Sequence, residues 1–120
     1  MTSERDKIRE DVQVRILRLL QVNAEMSQRE LARAVGVSTG GAYYILQALL
    51  RKGLIKFGNF RAAEDKRHYS YVLTRKGITE KARLTRAFLA RKMAEYEALK
   101  AEIEAVRTEI ETDEAPEAQS

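Results

Sequence analysis

The sequence contains no cysteine, no tryptophan, one histidine and one proline among its 120 residues. The lack of cysteine excludes a disulfide framework, a thiol nucleophile and a cysteine-ligated metal site. A lone His68 supplies neither a nucleophile–base pair nor a metal cage, so we expect no enzyme, no catalytic residue, no metal site and no cofactor. No apolar stretch approaches membrane-spanning length and the first ten residues are charged, which predicts a cytoplasmic protein without membrane contact.

Charge is abundant, and its sign changes along the chain. Residues 1–93 hold 20 Lys and Arg against 9 Asp and Glu, a balance of +11. Residues 94–120 hold 2 against 9, a balance of −7. A basic body beside an acidic end suits a polyanionic partner that binds one part of the chain. An ordinary solvated surface accounts for many such counts, so charge alone leaves both interpretations open.

The stretch from Ser27 to Lys52 carries the signals of two short helices joined by a tight turn. The capping box Ser27-Gln-Arg-Glu30 opens the first helix, because each of its end residues can satisfy the backbone amide of the other. Gly36 permits the left-handed conformation that ends this helix, and Ser38 caps the next one. Two capped helices with a four-residue turn predict a helix-turn-helix, whose second helix commonly enters a DNA major groove.

The flanking segments complete a winged helix-turn-helix. A helix from Glu4 to Val22 precedes the motif and carries apolar residues at helical spacing: Ile8, Val12, Ile16, Leu19 and Leu20. Two strand-like stretches, 54–60 and 68–73, follow the motif as a hairpin with a cationic tip. The fold class is therefore mainly α with a small β-hairpin, followed by a long helix. We expect a DNA-binding domain over 1–74, a long dimerisation helix over 75–112 and a disordered acidic tail over 113–120.

The long helix carries apolar residues at alternating spacings of three and four, which predicts a coiled coil. The predicted dimer interface comprises Leu89, Tyr96, Leu99, Ile103, Val106 and Ile110. In a parallel pair Glu95 would face Lys100 of the second copy and Glu102 would face Arg107, whereas an antiparallel pair would oppose glutamates. Each such pair is worth only about 0.3–0.5 kcal/mol, so charge favours a parallel homodimer without fixing it. The alternative is a single long helix that folds back on its own domain.

Candidate DNA contacts fall on the second helix of the motif and around it. The face opposite its apolar stripe carries the candidates for base or groove contact: Thr39, Gly40, Tyr43, Tyr44 and Gln47. A glutamine can pair with adenine, and a tyrosine can bind phosphate or pack on a thymine methyl group. The candidates for phosphate contact are Ser27, Arg29, Ser38, Arg51, Lys52, Arg61, Lys66 and Arg67. Each cation alone could be an ordinary solvated side chain. The prediction of phosphate contacts rests on their common location on the expected DNA-docking surface.

Gly40 and Gly41 are unfavourable in a helix, by about 1 kcal/mol each relative to alanine. One interpretation is close approach of the helix N-terminus to a DNA phosphate. The other is relief of crowding against a neighbouring helix, and the sequence leaves both open. The glycine-containing stretch 36–41 is not a phosphate-binding loop, because it follows no strand and lacks the required lysine.

Several stretches of the chain match a known pattern: Ser27-Gln-Arg-Glu-Leu-Ala-Arg, Gly36-Val-Ser, Ala48-Leu with Lys52-Gly-Leu, Asn59-Phe-Arg, Leu73-Thr with Lys76-Gly-Ile, Glu80-Lys-Ala-Arg-Leu-Thr and, most specific, Arg91-Lys-Met-Ala-Glu-Tyr-Glu-Ala-Leu-Lys-Ala-Glu-Ile. Through these stretches the chain resembles the small MarR-type regulators associated with exopolysaccharide gene clusters in bacteria. The resemblance covers residues 11–107. The resemblance implies a transcriptional regulator with polysaccharide synthesis genes among its targets. Such relatives tend to carry Lys and Asn at the positions of Gly41 and Tyr43, and Asn near Ala62, so an operator sequence cannot be carried over.

The leading hypothesis is a homodimer that binds double-stranded DNA at a near-palindromic operator. A first alternative is a protein-interaction adaptor, in which Tyr43 and Tyr44 form the contact patch and the coiled coil acts as a scaffold. A second alternative is a ligand-responsive MarR-type sensor, although no convergent polar cluster in the sequence identifies a ligand. The sequence does not distinguish repression from activation.

Overall fold

A computed structural model of the chain describes residues 4–58 and 70–115. The elements in chain order are α1 (Glu4–Val22), α2 (Gln28–Val35), α3 (Thr39–Arg51), β1 (Ile55–Phe57), β2 (Tyr71–Leu73) and α4 (Arg75–Glu114). This is the predicted fold class, three helices, an antiparallel hairpin and a long C-terminal helix. The chain divides into two compact units, Met1–Phe88 and Leu89–Ser120.

The first unit has one hydrophobic core, to which every described element of the unit contributes. Its largest fully buried side chains belong to Ile16, Leu17, Leu20, Leu31, Leu46, Leu49, Ile55 and Val14. On α2 the buried side chains are Leu31, Ala32 and Val35, and on α3 they are Ala42, Ile45, Leu46 and Leu49. Val37, in the turn between the two helices, packs against the same core.

The apolar stripe expected on α1 differs in one respect from the observed buried face. Ile8 is 58% exposed, whereas Gln13 and Leu17 are buried. At 100° per residue, Ile8 lies roughly 130° around the helix from the centre of the buried face. The sequence stripe was therefore aligned with one edge of the face that packs.

The hairpin pairs Ile55 with Leu73 and Phe57 with Tyr71 in antiparallel register. The described strands have three residues each, shorter than the predicted stretches, whose outer ends lie outside the described residues. The Tyr71 ring is buried and its centre lies 5.5 Å from that of the Phe57 ring, so this tyrosine packs within the hairpin. The amide of Tyr71 also donates a hydrogen bond to the Ala24 carbonyl at 3.2 Å, which ties β2 to the link between α1 and α2.

Helix α4 begins where the sequence predicted and ends at Glu114, two residues beyond the predicted end. The Thr74 hydroxyl caps it by accepting from the Gly77 amide at 3.0 Å, and donates to the Gly53 carbonyl at 2.6 Å. Leu84 is buried, and Phe88 packs against the core with the Arg15 guanidinium 5.7 Å from its ring centre. Both side chains therefore pack on the body of the first unit.

Candidate nucleic-acid interface

Both helices of the central motif begin at a capped serine. The Ser27 hydroxyl accepts from the Glu30 amide at 3.1 Å, while the Glu30 carboxylate accepts from the Ser27 amide at 3.0 Å, so the predicted capping box is present. The Ser38 hydroxyl accepts from the Gly41 amide at 2.9 Å. Gly36, between the helices, has φ +75°, the left-handed conformation expected at a helix end.

A side-chain bond brings the N-termini of α2 and α3 together. The Gln28 amide nitrogen donates to the Thr39 carbonyl at 3.2 Å, which links the first residue of each helix. Arg29, next along α2, is exposed. The two serine hydroxyls use an acceptor lone pair in capping and keep their hydrogen for donation. One edge of the motif therefore presents an exposed arginine, two hydroxyl donors and two helix N-termini, a combination that suits a phosphate.

The exposed face of α3 is opposite to its buried stripe. At 100° per residue, Gly40, Tyr44, Gln47 and Arg51 fall within an arc of roughly 60° centred away from the core. Gly40, Tyr44 and Arg51 are exposed and Gln47 is half-buried. Tyr43, 52% exposed, lies on the flank of this face. Of the predicted groove residues, Gly40, Tyr44 and Gln47 thus share one accessible side of the helix, whereas Thr39 is exposed but lies roughly 110° from the centre of that arc.

The two glycines of α3 have different surroundings. A Cβ atom at Gly40 would meet no heavy atom within 4 Å, whereas one at Gly41 would lie 3.1 Å from the Ser38 hydroxyl oxygen. Crowding against a neighbouring helix therefore does not account for Gly40. At Gly41 the close contact is with the residue that caps α3 itself.

Arg9 is a candidate residue that our sequence analysis missed. Its guanidinium carbon lies 5.9 Å from the centre of the Tyr44 ring, which joins α1 to the exposed face of α3. The two residues are 35 positions apart, so no local sequence signal links them. Only the tertiary fold, which places the side chain of Arg9 beside α3, brings it to this face.

The C-terminal end of α3 lies beside a cleft that is lined by charged side chains. Arg51 is exposed, about 18 Å from the start of the helix. Lys52 lines a cleft of about 410 Å³ whose other lining residues are Glu10, Gln13, Leu54, Lys76, Glu80, Arg83 and Leu84. The Lys76 ammonium donates to the Lys52 carbonyl at 3.0 Å. A hydrogen bond from Arg83 lowers the pKa of Glu80, the charges of Lys52 and Lys76 add to this lowering, and partial burial opposes it.

The predicted wing contacts, Arg61, Lys66 and Arg67, lie outside the described residues. At the base of the hairpin, Gly58 donates to the Ser70 carbonyl at 2.8 Å, and a Cβ atom on Gly58 would lie 2.3 Å from the Ser70 hydroxyl oxygen. Both strands therefore approach closely where they lead toward the wing tip.

The second unit presents the predicted dimer residues along one stripe of α4. Leu89, Tyr96, Leu99, Ile103, Val106 and Ile110 are each between 45% and 59% exposed. Met93, which was not among the predicted interface residues, is 55% exposed. Large apolar side chains repeated at heptad spacing over this length form a surface that commonly packs on another helix.

Two further observations bear on the class of protein. Within residues 4–58 and 70–115, no three His, Cys, Asp or Glu side chains form a group that could hold a metal ion. In the same part of the chain, no helix is both long enough and apolar enough to span a membrane.

Residues 9–56 match the family described as winged helix-turn-helix DNA-binding. This range runs from α1 through α3 into β1, the elements that build the face described above. The first unit therefore has the winged helix-turn-helix fold, and residues 9–56 are similar to the DNA-binding proteins that share it. By sequence, no curated protein matches the chain.

Solved structures of MarR-type regulators share this fold. The transcriptional repressor CouR, solved with a 23-mer DNA duplex, is 26% identical, with a TM-score of 0.58 over 82% of this chain and 70% of its own. MepR, a transcription regulator of the Staphylococcus aureus efflux pump MepA, is 21% identical, with a TM-score of 0.54 over 82% and 78%. A MarR family protein of Mycobacterium tuberculosis, solved with salicylic acid, is 22% identical, with a TM-score of 0.52 over 79% and 75%.

Proposed function

We propose that this protein is a DNA-binding transcriptional regulator of the MarR type. The observation that carries the proposal is the accessible face of α3, which groups Gly40, Tyr44, Gln47 and Arg51 beside two capped helix N-termini. CouR, which shares this fold, was solved on a DNA duplex, and the similar structures described above belong to regulators rather than enzymes.

In the proposed complex α3 enters the major groove. Gln47 and Tyr43 face base edges, and Thr39 and Gly40 bring the start of the helix close to the backbone. Phosphate contacts come from the serine caps, from Arg29 and Arg51, and from the wing cations, and they set affinity and register rather than sequence preference. The residues with these phosphate roles are Ser27, Arg29, Ser38, Arg51, Lys52, Arg61, Lys66 and Arg67.

Among the phosphate candidates that the structure describes, Lys52 has the weakest support. Its side chain lines the cleft that also holds Glu10 and Glu80, so carboxylates share its surroundings. Arg51 is exposed on the α3 face itself. We therefore assign Arg51 the larger electrostatic contribution at this end of the helix.

The proposed active form is a homodimer joined through the second unit, with residues 75–112 as the dimerisation helix. The support is the exposed stripe from Leu89 to Ile110, together with the opposite charges that a parallel pair would align. In this helix Glu95 also accepts from Lys92 at 2.9 Å, so Lys92 competes with Lys100 of a second copy. Two recognition helices would then reach successive major grooves, about 34 Å apart, on a near-palindromic operator.

We further propose exopolysaccharide-related genes as targets. Only the resemblance in sequence supports this assignment. A genome-wide map of bound sites tests it, and enrichment at other gene classes alone would contradict it.

One structural observation favours a second candidate, the ligand-responsive sensor. The cleft beside Lys52 has room for a small molecule, and Lys76, Arg83 and the buried Gln13 line it with donors. A related fold was solved with salicylic acid. If the protein is a sensor, salicylate-like anions should lower its DNA affinity, and Gln13→Leu should remove that response without altering the affinity of the ligand-free protein.

The experiment that tests the main proposal is selection of bound duplexes from a random library, followed by binding measurements across salt concentrations. We expect one enriched motif of two inverted half-sites about 10 bp apart, with affinity that falls steeply as salt rises. Affinity without enrichment would identify a non-specific binder. No affinity for any duplex would contradict the proposal and favour the adaptor, in which Tyr43 and Tyr44 contact a protein.

A further inference from the structure

We infer that Arg9 of α1 is a DNA phosphate contact and that Tyr44 of α3 is the residue that positions it. This inference rests on the proposed function and assigns different roles to the two exposed tyrosines, Tyr43 and Tyr44. Tyr43, with Gln47, remains a candidate for the groove. Tyr44 instead holds an arginine supplied by a different helix.

The first step of the argument is where Arg9 projects. Along α1, Arg9 lies one turn before the buried residues Val12 and Gln13 and on the same side of the helix. Val12 is the first residue of α1 in the hydrophobic core, so the exposed side chain of Arg9 lies just beyond the core and extends toward α3. It meets Tyr44 with its guanidinium carbon 5.9 Å from the ring centre, within the range of a cation–π contact.

The second step is the charge of Arg9. Arg9 forms no ion pair in the described ranges 4–58 and 70–115, so its charge is not neutralised by a carboxylate there. A guanidinium carries five N–H groups, so a contact with one aromatic ring leaves donors available to a phosphate.

The third step is the position of Tyr44. It lies in the same exposed arc of α3 as Gln47 and Arg51, so an arginine held against it is presented on the side proposed to face DNA. The ring also restricts the long arginine side chain before binding, which reduces the conformational entropy lost when a phosphate is bound. α1 thus adds a contact beyond those of the two helices of the motif.

The test measures the affinity of the full chain for a fluorescently labelled duplex of random sequence between about 50 and 200 mM KCl. Arg9→Gln should reduce the slope of log affinity against log salt by about 0.9 per bound protomer, which corresponds to a loss of about 3.5-fold in the affinity ratio between the two salt concentrations. Arg18→Gln is the matched control, since this exposed arginine lies half a turn away around the same helix. Its slope should equal that of the wild type.

Tyr44 is tested in the same assay. Tyr44→Phe keeps the ring and should bind like the wild type, whereas Tyr44→Leu should reduce affinity. In the Arg9→Gln background, Tyr44→Leu should have no further effect, because the arginine that it positions is absent. A structural role for Tyr44 would instead give additive losses, and a base-reading role would change the selected motif; either result would overturn its assignment as a positioning residue.

The outcomes separate this inference from the function on which it rests. A wild-type protein that binds DNA with a steep salt dependence, together with an unchanged slope in Arg9→Gln, overturns the inference and leaves the proposed function standing. A wild-type protein with no affinity for DNA overturns the proposed function. A reduced slope in Arg9→Gln and a normal one in Arg18→Gln support both.

Discussion

A Cβ atom on Gly77 would lie 1.9 Å from the carbonyl oxygen of Leu54, so the first turn of α4 packs directly on the backbone that enters the hairpin. The same carbonyl accepts from the Thr74 amide at 3.0 Å, and therefore it cannot move aside without loss of that bond. Position 77 therefore requires glycine, because a Cβ atom there would collide with the Leu54 carbonyl oxygen. This contact holds the start of the long helix against the winged domain.

We expect Gly77→Ala to destabilise the first unit by about 1–3 kcal/mol, the usual range for an overpacked site. Urea unfolding followed by circular dichroism measures the change. Gly40→Ala is the matched control, because its new methyl group would meet nothing within 4 Å. That variant should gain up to about 1 kcal/mol from helix propensity. Equal stability of Gly77→Ala and the wild type would contradict the packing seen here.

Gly40→Ala also tests whether the start of α3 approaches DNA closely. We expect weaker binding to the selected duplex in a protein that is as stable as the wild type or more so, because the methyl group would occupy the space between helix and phosphate. Fluorescence anisotropy measures the affinity, and unfolding curves of the same samples exclude a folding defect. Full affinity in this variant would show that the glycine serves no contact with DNA.

Gln47 and Arg51 lie one turn apart on α3, and their replacement should change DNA binding in different ways. Gln47→Ala should lose about 1–3 kcal/mol of discrimination at one base pair and keep the salt slope of the wild type. Arg51→Ala should lower that slope by about 0.9 per protomer and keep the selected motif. We expect Arg61→Ala and Arg67→Ala to resemble Arg51→Ala. An unchanged motif in Gln47→Ala would remove this residue from the base-reading set.

The orientation of the proposed dimer can be measured with single cysteines, since the chain has none of its own. In a parallel pair, Leu89→Cys and Ile110→Cys should each form a disulfide with the same residue of the second copy. In an antiparallel pair neither variant should cross-link alone. Glu104→Cys, at an outward heptad position, should stay reduced on a non-reducing gel and serves as the control. A monomer by light scattering would contradict the dimer altogether.

The contact between Glu80 and Arg83 predicts a small dependence of stability on pH. Because the hydrogen bond lowers the pKa of Glu80 in the folded chain, the ionised carboxylate favours folding. That contribution is complete above the unfolded pKa and is lost as pH falls through the lowered folded value. Glu80→Gln should therefore melt below the wild type at neutral pH, with a difference that shrinks in acid. A difference independent of pH would show that the carboxylate charge is irrelevant.

The parts of the fold that depend on neighbouring residues were predictable from the sequence. The Ser27 capping box and the Gly36 helix end involve atoms within a few residues of one another, and both appear as expected.

The parts that depend on how helices cross were not predictable. Ile8 belongs to a regular apolar spacing, yet it lies outside the buried face because the packing of α1 places Gln13 and Leu17 inward. The contact between Arg9 and Tyr44 and the close approach of Gly77 to Leu54 each join distant positions. Periodicity identifies the inward side of one helix but carries no information on its crossing angle with the next.

The two caps, the left-handed glycine and the helix pair they define all lie between Ser27 and Lys52. Contacts within this segment close loops of fewer than 26 residues, so their formation requires little loss of chain entropy. We expect the segment to organise early as the chain collapses, with the hairpin and α4 added later, because β2 and Gly77 must find partners that are distant in sequence. Mutations at the caps should then slow refolding, whereas mutations at the α4 contact should mainly accelerate unfolding.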